Sequence, residues 1–186
     1  MTPVIVTPPS EEPLTLAEAK QHCRIETAVT EDDALVEAYI GAAVDQMQRE
    51  LDYYLAEQTW KQSFGSFDCV RIWQRPVAEV VSVEYLDADS QTQTLDDAEY
   101  RLEAHALGSK LVRAGSSWPT VASRSDAVTV TYSLGVAVGD IPPALKAALM
   151  LHVGFLYANR ESSSDTAIRP TGAYDALVWP FRRLSV

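Results

Sequence analysis

Cysteine is scarce in this chain, and the common motifs of catalytic, nucleotide-binding and metal-binding proteins are absent. Cys23 and Cys69 are the only two cysteines among 186 residues, so neither a disulfide framework nor a zinc cluster is predicted. The sequence has no phosphate-binding loop, no Gly-x-Gly-x-x-Gly, no His-Glu-x-x-His and no Gly-x-Ser-x-Gly. We therefore expect no cofactor, no intrinsic metal and no enzymatic activity.

Long apolar runs are missing as well. The longest apolar stretch, residues 147–158, is interrupted by His152 and falls short of the roughly 20 residues that a membrane-spanning helix requires. The first residues contain neither a basic region nor a long apolar core, unlike a secretory signal. The sequence thus predicts no membrane segment and a protein made and kept in the cytoplasm.

Positive charge is in short supply. The chain has 15 lysines and arginines against 26 carboxylates, which gives a formal net charge of -11. Binding to nucleic acid needs clustered basic residues that displace counterions from phosphates, so DNA should be repelled. A negative net charge suits a protein past which DNA must slide without binding, but it is also a common way of keeping a protein soluble. The 47% apolar content is typical of a folded globular protein.

Local signals predict four helices. Thr15 and Glu18 have the spacing of a capping box, and carboxylates at residues 31–33 favour a second helix start. Apolar residues then recur at three- and four-residue steps, and two prolines at residues 142–143 indicate a later helix entry. The predicted helices lie near residues 15–24, 31–55, 143–160 and 173–179.

Between these helices the hydrophobic period changes to two, as in half-buried strands. The predicted fold is therefore α+β: a small helical bundle from residues 14–59 and 140–186, with an inserted antiparallel β-sheet subdomain at residues 60–135. Four prolines in residues 1–13 predict an extended N-terminal arm.

Candidate metal sites are weak. Asp87, Asp89 and Gln91 have the spacing of a calcium loop, but Thr92 replaces the turn glycine and Ala98 replaces the closing glutamate. A solvated hairpin turn is the simpler interpretation.

Other candidates for chemistry have simple structural explanations. His22, His105 and His152 are far apart in sequence, and His152 is predicted to be a hydrogen-bonded core or interface residue. Carboxylates at residues 31–33 and 96–99 could supply the acid pair of a hydrolase, but runs of this kind are usually helix caps or solvated groups, and we prefer that interpretation.

Two segments are predicted to contact partners. The third long helix is apolar almost all round, so part of it lies either in the core or against a neighbouring subunit, and we predict subunit contacts at Met150 and Tyr157. Near the C-terminus, two aromatics adjoin two arginines, a combination enriched at interfaces. Trp179 and Phe181 could instead cap the protein's own core.

An ordered series of motifs resembles the head-tail connector (adaptor, or head-completion) proteins of tailed bacteriophages. The series covers most of residues 14–161. It consists of Leu-Thr-Leu-Ala-Glu-Ala-Lys at 14–20, Asp-Asp at 32–33, Gln-Thr-Trp at 58–60, Pro-Val at 76–77, Val-x-Tyr-x-Asp at 83–87, Trp-Pro at 118–119, Ile-Pro-Pro-x-Leu-Lys at 141–146 and Asn-Arg-Glu at 159–161. The β insertion places the chain with the longer subgroup, and residues 133–137 lack the Gly-Tyr-Gly expected after the last strand.

The resemblance implies a structural virion protein of a phage, prophage or phage-like particle, located at the head-tail junction. Its partners would be further copies in a dodecameric ring, the portal protein and a tail-completion or tail-terminator protein, with DNA passing through the lumen without specific binding. Portal docking would involve Trp179, Phe181, Arg182 and Arg183. Two other hypotheses remain: a small acidic hydrolase using carboxylates of the β region, and a monomeric adaptor that binds a partner through its proline-rich arm.

Overall fold

A computed structural model describes residues 2–105, 108–115, 117–160 and 172–183. The fold is α+β, which confirms the class predicted from the change of hydrophobic period. The chain divides into two compact units: a β unit of residues 1–11 and 56–136, and a helical unit of residues 12–55 and 137–186.

The helical unit contains α1 (Leu16–Cys23), α2 (Asp33–Leu51), α3 (Pro143–Ala158) and α4 (Gly172–Val178). The predicted capping box is present at α1: the Thr15 hydroxyl accepts from the Glu18 N–H, and the Glu18 carboxylate accepts from the Thr15 N–H at 3.0 Å. Helix α2 ends before the predicted residue 55, because Asp52 adopts a left-handed backbone conformation with φ 48°.

The core of the helical unit forms where the apolar stripes of α1, α2 and α3 meet. The buried side chains of α2 recur at the predicted helical spacing, and those of α3 form a matching stripe. The buried side chains of α2 and α3 include Val36, Ile40, Met47, Leu51, Leu145, Leu149 and Val153. Full burial of each such side chain stabilises the fold by roughly 1.5–3 kcal/mol.

The described residues of the β unit form eight strands, and all the pairings among them are antiparallel. A five-stranded sheet has the order β1-β2-β8-β4-β5, and a three-stranded sheet has the order β3-β7-β6. The strands are β1 (Val4–Thr7), β2 (Gln58–Phe64), β3 (Arg71–Ile72), β4 (Val77–Leu86), β5 (Thr92–Thr94), β6 (Tyr100–His105), β7 (Gly108–Arg113) and β8 (Val128–Leu134).

Strand β8 is the centre of the larger sheet. Its Val128, Val130, Tyr132 and Leu134 are buried and alternate with half-buried polar residues, which is the alternation predicted from the sequence. The next residue, Gly135, has φ +94°, and a Cβ there would overlap the Ala56 carbonyl oxygen. Only glycine fits this position.

The unit boundaries differ from the predicted ones in two places. Residues 4–7, assigned from sequence to a separate arm at 1–13, form the edge strand β1, in which Val4 lies opposite Lys61 and Ile5 opposite Trp60. Residues 58–59, assigned to the helical core, begin strand β2. The β-branched sequence Val-Ile-Val favours a strand, and this preference prevails between the flanking prolines.

Candidate functional site

Helix α3 has a buried face and a partly exposed apolar face. Leu145, Leu149 and His152 lie on the buried face as predicted, whereas Leu156, predicted on the same stripe, is only half-buried. The predicted interface residues Met150 and Tyr157 lie on the partly exposed face. The structure therefore leaves both positions at the surface of the helical unit.

Tyr157 already has partners within its own unit. Its hydroxyl donates to the Asp32 carboxylate at 2.7 Å, Arg160 donates to the same carboxylate at 2.7 Å, and the Arg160 guanidinium lies 4.4 Å from the centroid of the Tyr157 ring. The hydrogen bond from Tyr157, followed by that from Arg160, lowers the pKa of Asp32. Sequence reasoning missed this cluster because its members are far apart in the chain.

An open groove of about 380 Å³ lies between α1 and α3. It is lined by His22, Cys23, Leu151, Gly154, Phe155, Tyr157 and Ala158. At its floor the His22 ring packs so closely that a Cβ at residue 154 would lie 3.1 Å from His22 Nε2. Burial raises the pKa of the Cys23 thiol, which disfavours the reactive thiolate. The groove is suited to accepting an apolar side chain rather than to nucleophilic chemistry.

His152 is a core residue of α3. It is 3% exposed, and its ring meets the edge of Tyr174 at 5.6 Å between centroids. Burial lowers its pKa, an effect partly opposed by the Glu50 carboxylate. Its Nδ1 has no hydrogen-bond partner among the residues that the structure describes, so the expected hydrogen bond is not seen at this atom.

The C-terminal segment forms a short 3-10 helix, Trp179–Phe181, directly after α4. Trp179 is 62% exposed, whereas Phe181 is half-buried and meets Tyr53 edge-on at 5.8 Å between centroids. The two aromatics that the sequence grouped together therefore have different surroundings. Phe181 packs on its own unit, as the core-capping alternative requires, and Trp179 does not.

Both arginines of this segment bind carboxylates of the helical unit. Arg182 donates to Glu50 and, at 2.6 Å, to Asp175, and these bonds raise the pKa of Arg182. Arg183 lies 3.2 Å from the Asp52 carboxylate. These ion pairs and the Phe181 contact fix the backbone that presents Trp179.

The calcium candidate is a hydrogen-bonded turn. The Asp87 carboxylate accepts from the backbone N–H groups of Asp89 and Gln91 and from the Gln93 amide, which lowers the pKa of Asp87. Within the described ranges, no three histidine, cysteine or acidic residues are placed to hold a metal ion. The same part of the chain contains no helix long and apolar enough to cross a membrane.

The acid pair considered for a hydrolase is engaged in local structure. Asp96 accepts from the Ala98 N–H at 2.8 Å, and Asp97 accepts from the Tyr100 hydroxyl at 2.6 Å. Burial and the contact with Asp97 both raise the pKa of Tyr100. These carboxylates act as a turn cap and a tyrosine partner, so the hydrolase hypothesis has no support from this geometry.

Comparison with protein families supports one of the hypotheses. Residues 13–103 match the model of the phage gp6-like head-tail connector proteins. This segment, just under half of the chain, is similar to the head-tail connector proteins. The resemblance inferred from the ordered motifs is thereby confirmed. The matched connector segment contains α1, α2 and the strands as far as Glu103 in β6.

Similarity of fold to solved structures extends over the whole chain. Three similar solved structures are the neck of an empty gene transfer agent (GTA) particle computed with C6 symmetry, the virion of the native GTA particle, and the neck of the native particle computed with C12 symmetry. Their TM-scores are 0.82, 0.80 and 0.79, each at 21% identity, covering 100% of this chain and 97% of the matched chain. Comparison with curated proteins finds no match.

Proposed function

We propose that this protein is a structural head-tail connector whose copies form a ring between the portal and the tail of a phage or phage-like particle. The observation that carries the proposal is the connector family match at residues 13–103. The likeness in fold to proteins of the GTA neck over 100% of the chain supports it. Neck structures computed with C6 and C12 symmetry favour a ring of twelve copies.

The exposed face of α3 supports ring formation. Met150, Leu151 and Phe155 are only partly buried, although the helix has almost no polar surface to present to water. A neighbouring copy would remove this apolar area from solvent, and the adjacent groove would accept one of its side chains. Tyr157 contributes less to such a contact than the sequence suggested, because its hydroxyl is bonded to Asp32.

Trp179 supports docking to a portal protein or to a tail-completion or tail-terminator protein. A tryptophan that is 62% exposed on a fixed backbone is the type of side chain that anchors interfaces. Phe181, Arg182 and Arg183 make contacts within the helical unit that hold that backbone in place. We place the docking contribution chiefly on Trp179.

The remaining parts of the proposal are a location at the head-tail junction, a lumen through which DNA passes, and the absence of catalysis. A net charge of -11 disfavours tight contact with phosphates, which suits a channel that releases the genome. The monomeric adaptor hypothesis places partner binding on the proline-rich arm, and residues 4–7 of that arm are paired with β2.

Removal of the gene from the phage or prophage that encodes it tests the proposal. We expect DNA-containing heads and unattached tails in electron micrographs, with joined particles restored when the protein is supplied in trans. Complete, infectious or transducing particles made without the protein would overturn the proposal. Labelled protein found away from the neck of intact particles would overturn it as well.

A further inference from the structure

The solvent-facing side of the three-stranded sheet carries an unusual set of charges. Ile72 and Leu111 are buried, so strand alternation places Arg71 and Lys110 on the opposite, outer face. Arg101, Glu103 and His105 of β6 have the same orientation because Glu103 is the register partner of Lys110. We call Arg71, Trp73, Arg101, His105 and Lys110 the basic face.

The basic face has more positive charge than its own surroundings neutralise. Arg71 and Lys110 lie directly opposite each other in the β3–β7 ladder, an arrangement in which like charges repel. Neither of them forms an ion pair within the described ranges of the chain. Arg71 instead lies over Trp73, with its guanidinium carbon 5.3 Å from the ring centroid. The carboxylate of Glu103, on the same side of the sheet, accepts from Arg101 at 2.7 Å, lies 3.9 Å from His105 and is the register partner of Lys110, so one carboxylate serves several cationic groups.

A second surface of the β unit has the opposite imbalance. Residues 87–99 contain five carboxylates and no lysine or arginine: Asp87, Asp89, Asp96, Asp97 and Glu99. We call these five residues the acidic segment. None of them is paired with a cation among the residues described, since their hydrogen bonds come from neutral donors such as the Gln93 amide and the Tyr100 hydroxyl.

The two surfaces lie at different places on one unit. Glu99 immediately precedes β6, and Lys110 lies opposite Glu103 in that strand, so four residues of extended chain, about 13 Å, separate Glu99 from Lys110 along the sheet, with Arg101 between them. Two complementary patches at separate positions on the same chain produce a head-to-tail contact, which closes into a ring when the rotation between copies allows it.

We propose that, in the connector ring, the basic face of one copy docks on the acidic segment of the next copy. This inference rests on the proposed ring function and names a contact that forms it. A second copy would bring the excess positive charge of the basic face against the carboxylates of the acidic segment, which have no cationic partner among the residues described. Duplex DNA on the basic face would leave the acidic segment unpaired and would approach a chain of net charge -11.

Charge reversal tests the contact. One variant combines Arg71→Glu with Lys110→Glu; the other combines Asp89→Lys with Glu99→Lys, whose side chains are exposed. In sedimentation velocity at low salt, we expect wild-type protein to associate and each variant alone to associate at least tenfold more weakly. An equimolar mixture of the variants should recover association, because each reversed surface then meets its complement.

A matched control combines Arg49→Glu with Arg124→Glu, which changes the net charge as much as the basic-face variant but lies outside both surfaces. Circular dichroism melts establish that every variant is folded. We expect the control to associate like wild type, and wild-type association to weaken steeply as salt is raised.

The inference would be overturned if the variants associate like wild type, if their mixture does not recover association, or if the wild type stays monomeric at low salt. It would also be overturned if the wild type binds DNA and the basic-face variant loses that binding while its association is unchanged. In that last case DNA would be the ligand of the basic face. Particles that keep the protein at the neck would still support the proposed function, so the two failures are distinguishable.

Discussion

At the scale of single residues, buried charge holds the connection between α1 and α2. Lys20 is 5% exposed, and its ammonium donates to the Thr27 carbonyl at 3.3 Å, the Val29 carbonyl at 2.6 Å and the Asp33 carboxylate at 2.6 Å. No local pattern predicts this role, because a lysine on a short helix normally faces water. Folding is what brings the Thr27 and Val29 carbonyls and the Asp33 carboxylate to the Lys20 ammonium.

Replacement of Lys20 by methionine should destabilise the protein. The substitution keeps most of the side-chain volume but leaves the Asp33 carboxylate and the Val29 carbonyl without their donor, at a cost of about 1–3 kcal/mol. For a domain of this size that corresponds to a Tm lower by roughly 2–12 °C. The control is Arg49→Met, which removes an exposed ion pair on α2 and should change stability by less than about 0.5 kcal/mol. Equal effects in the two variants would contradict this account.

The Glu18 carboxylate predicts a dependence of stability on pH. The hydrogen bond from Lys146, followed by that from the Thr15 N–H, lowers the pKa of Glu18 to about 2. Because the folded pKa lies below the unfolded one, the contribution is complete above the unfolded pKa of 4.5 and is lost as pH falls towards 2. Both side chains are partly exposed, so the contribution at neutral pH should be below about 1 kcal/mol.

Glu18→Gln isolates this charge because glutamine can still complete the capping box. We expect its Tm to lie below that of wild type near neutral pH and to converge with it at about pH 2, measured by thermal melts. A constant difference in Tm across the acid range would show that the charge of Glu18 is not responsible.

At the scale of secondary-structure elements, features encoded within a few neighbouring residues were predicted correctly more often than features that depend on residues distant in sequence. The capping box of α1 and the alternation of β8 were found because each is encoded within a few residues. Strand β1 was missed because its partner, β2, is distant in sequence. The end of α2 was missed for a different reason: Leu55 is buried although it lies beyond the helix, so the apolar pattern continues past Leu51.

The exposed face of α3 gives a prediction that separates subunit contact from internal packing. Met150→Glu should abolish ring association while leaving Tm nearly unchanged in the isolated protein, because Met150 is only partly buried there. Met150→Leu is the matched control and should associate normally.

Tyr157→Phe should have the opposite profile: a small decrease in Tm, from loss of the bond to Asp32, with association retained. Light scattering and thermal melts on the same samples check these outcomes. Rings unaffected by Met150→Glu would place the interface on another surface.

At the scale of the whole molecule, composition gives the net charge, whereas topology determines where the charges lie on the surface. The net charge of -11 predicted a chain that does not bind DNA tightly. A net charge does not show how charge is distributed, and here Arg71 and Lys110 lie on one face whereas the carboxylates of residues 87–99 lie elsewhere. That separation depends on which side of each strand faces water. Register fixes that orientation, and register arises from pairing across the sheet.

The last prediction concerns docking of the whole connector to its partner in the particle. The sequence grouped Trp179 with Phe181, whereas the structure exposes 62% of Trp179 and packs Phe181 against Tyr53. Trp179→Ala should therefore abolish binding to the portal protein. Its Tm should not change, because most of the indole is exposed to solvent in the isolated protein. Phe181→Ala should lower Tm by several degrees, because it removes an aromatic contact of the helical unit.

Pull-down of the cognate portal protein and thermal melts of both variants measure the two effects separately. Phe181→Leu serves as the control that retains apolar volume, and it should recover most of the lost Tm. Full portal binding by folded Trp179→Ala would remove Trp179 from the docking surface. A large drop in its Tm would instead make Trp179 part of the core, because a side chain that contributes only to docking cannot destabilise the isolated protein.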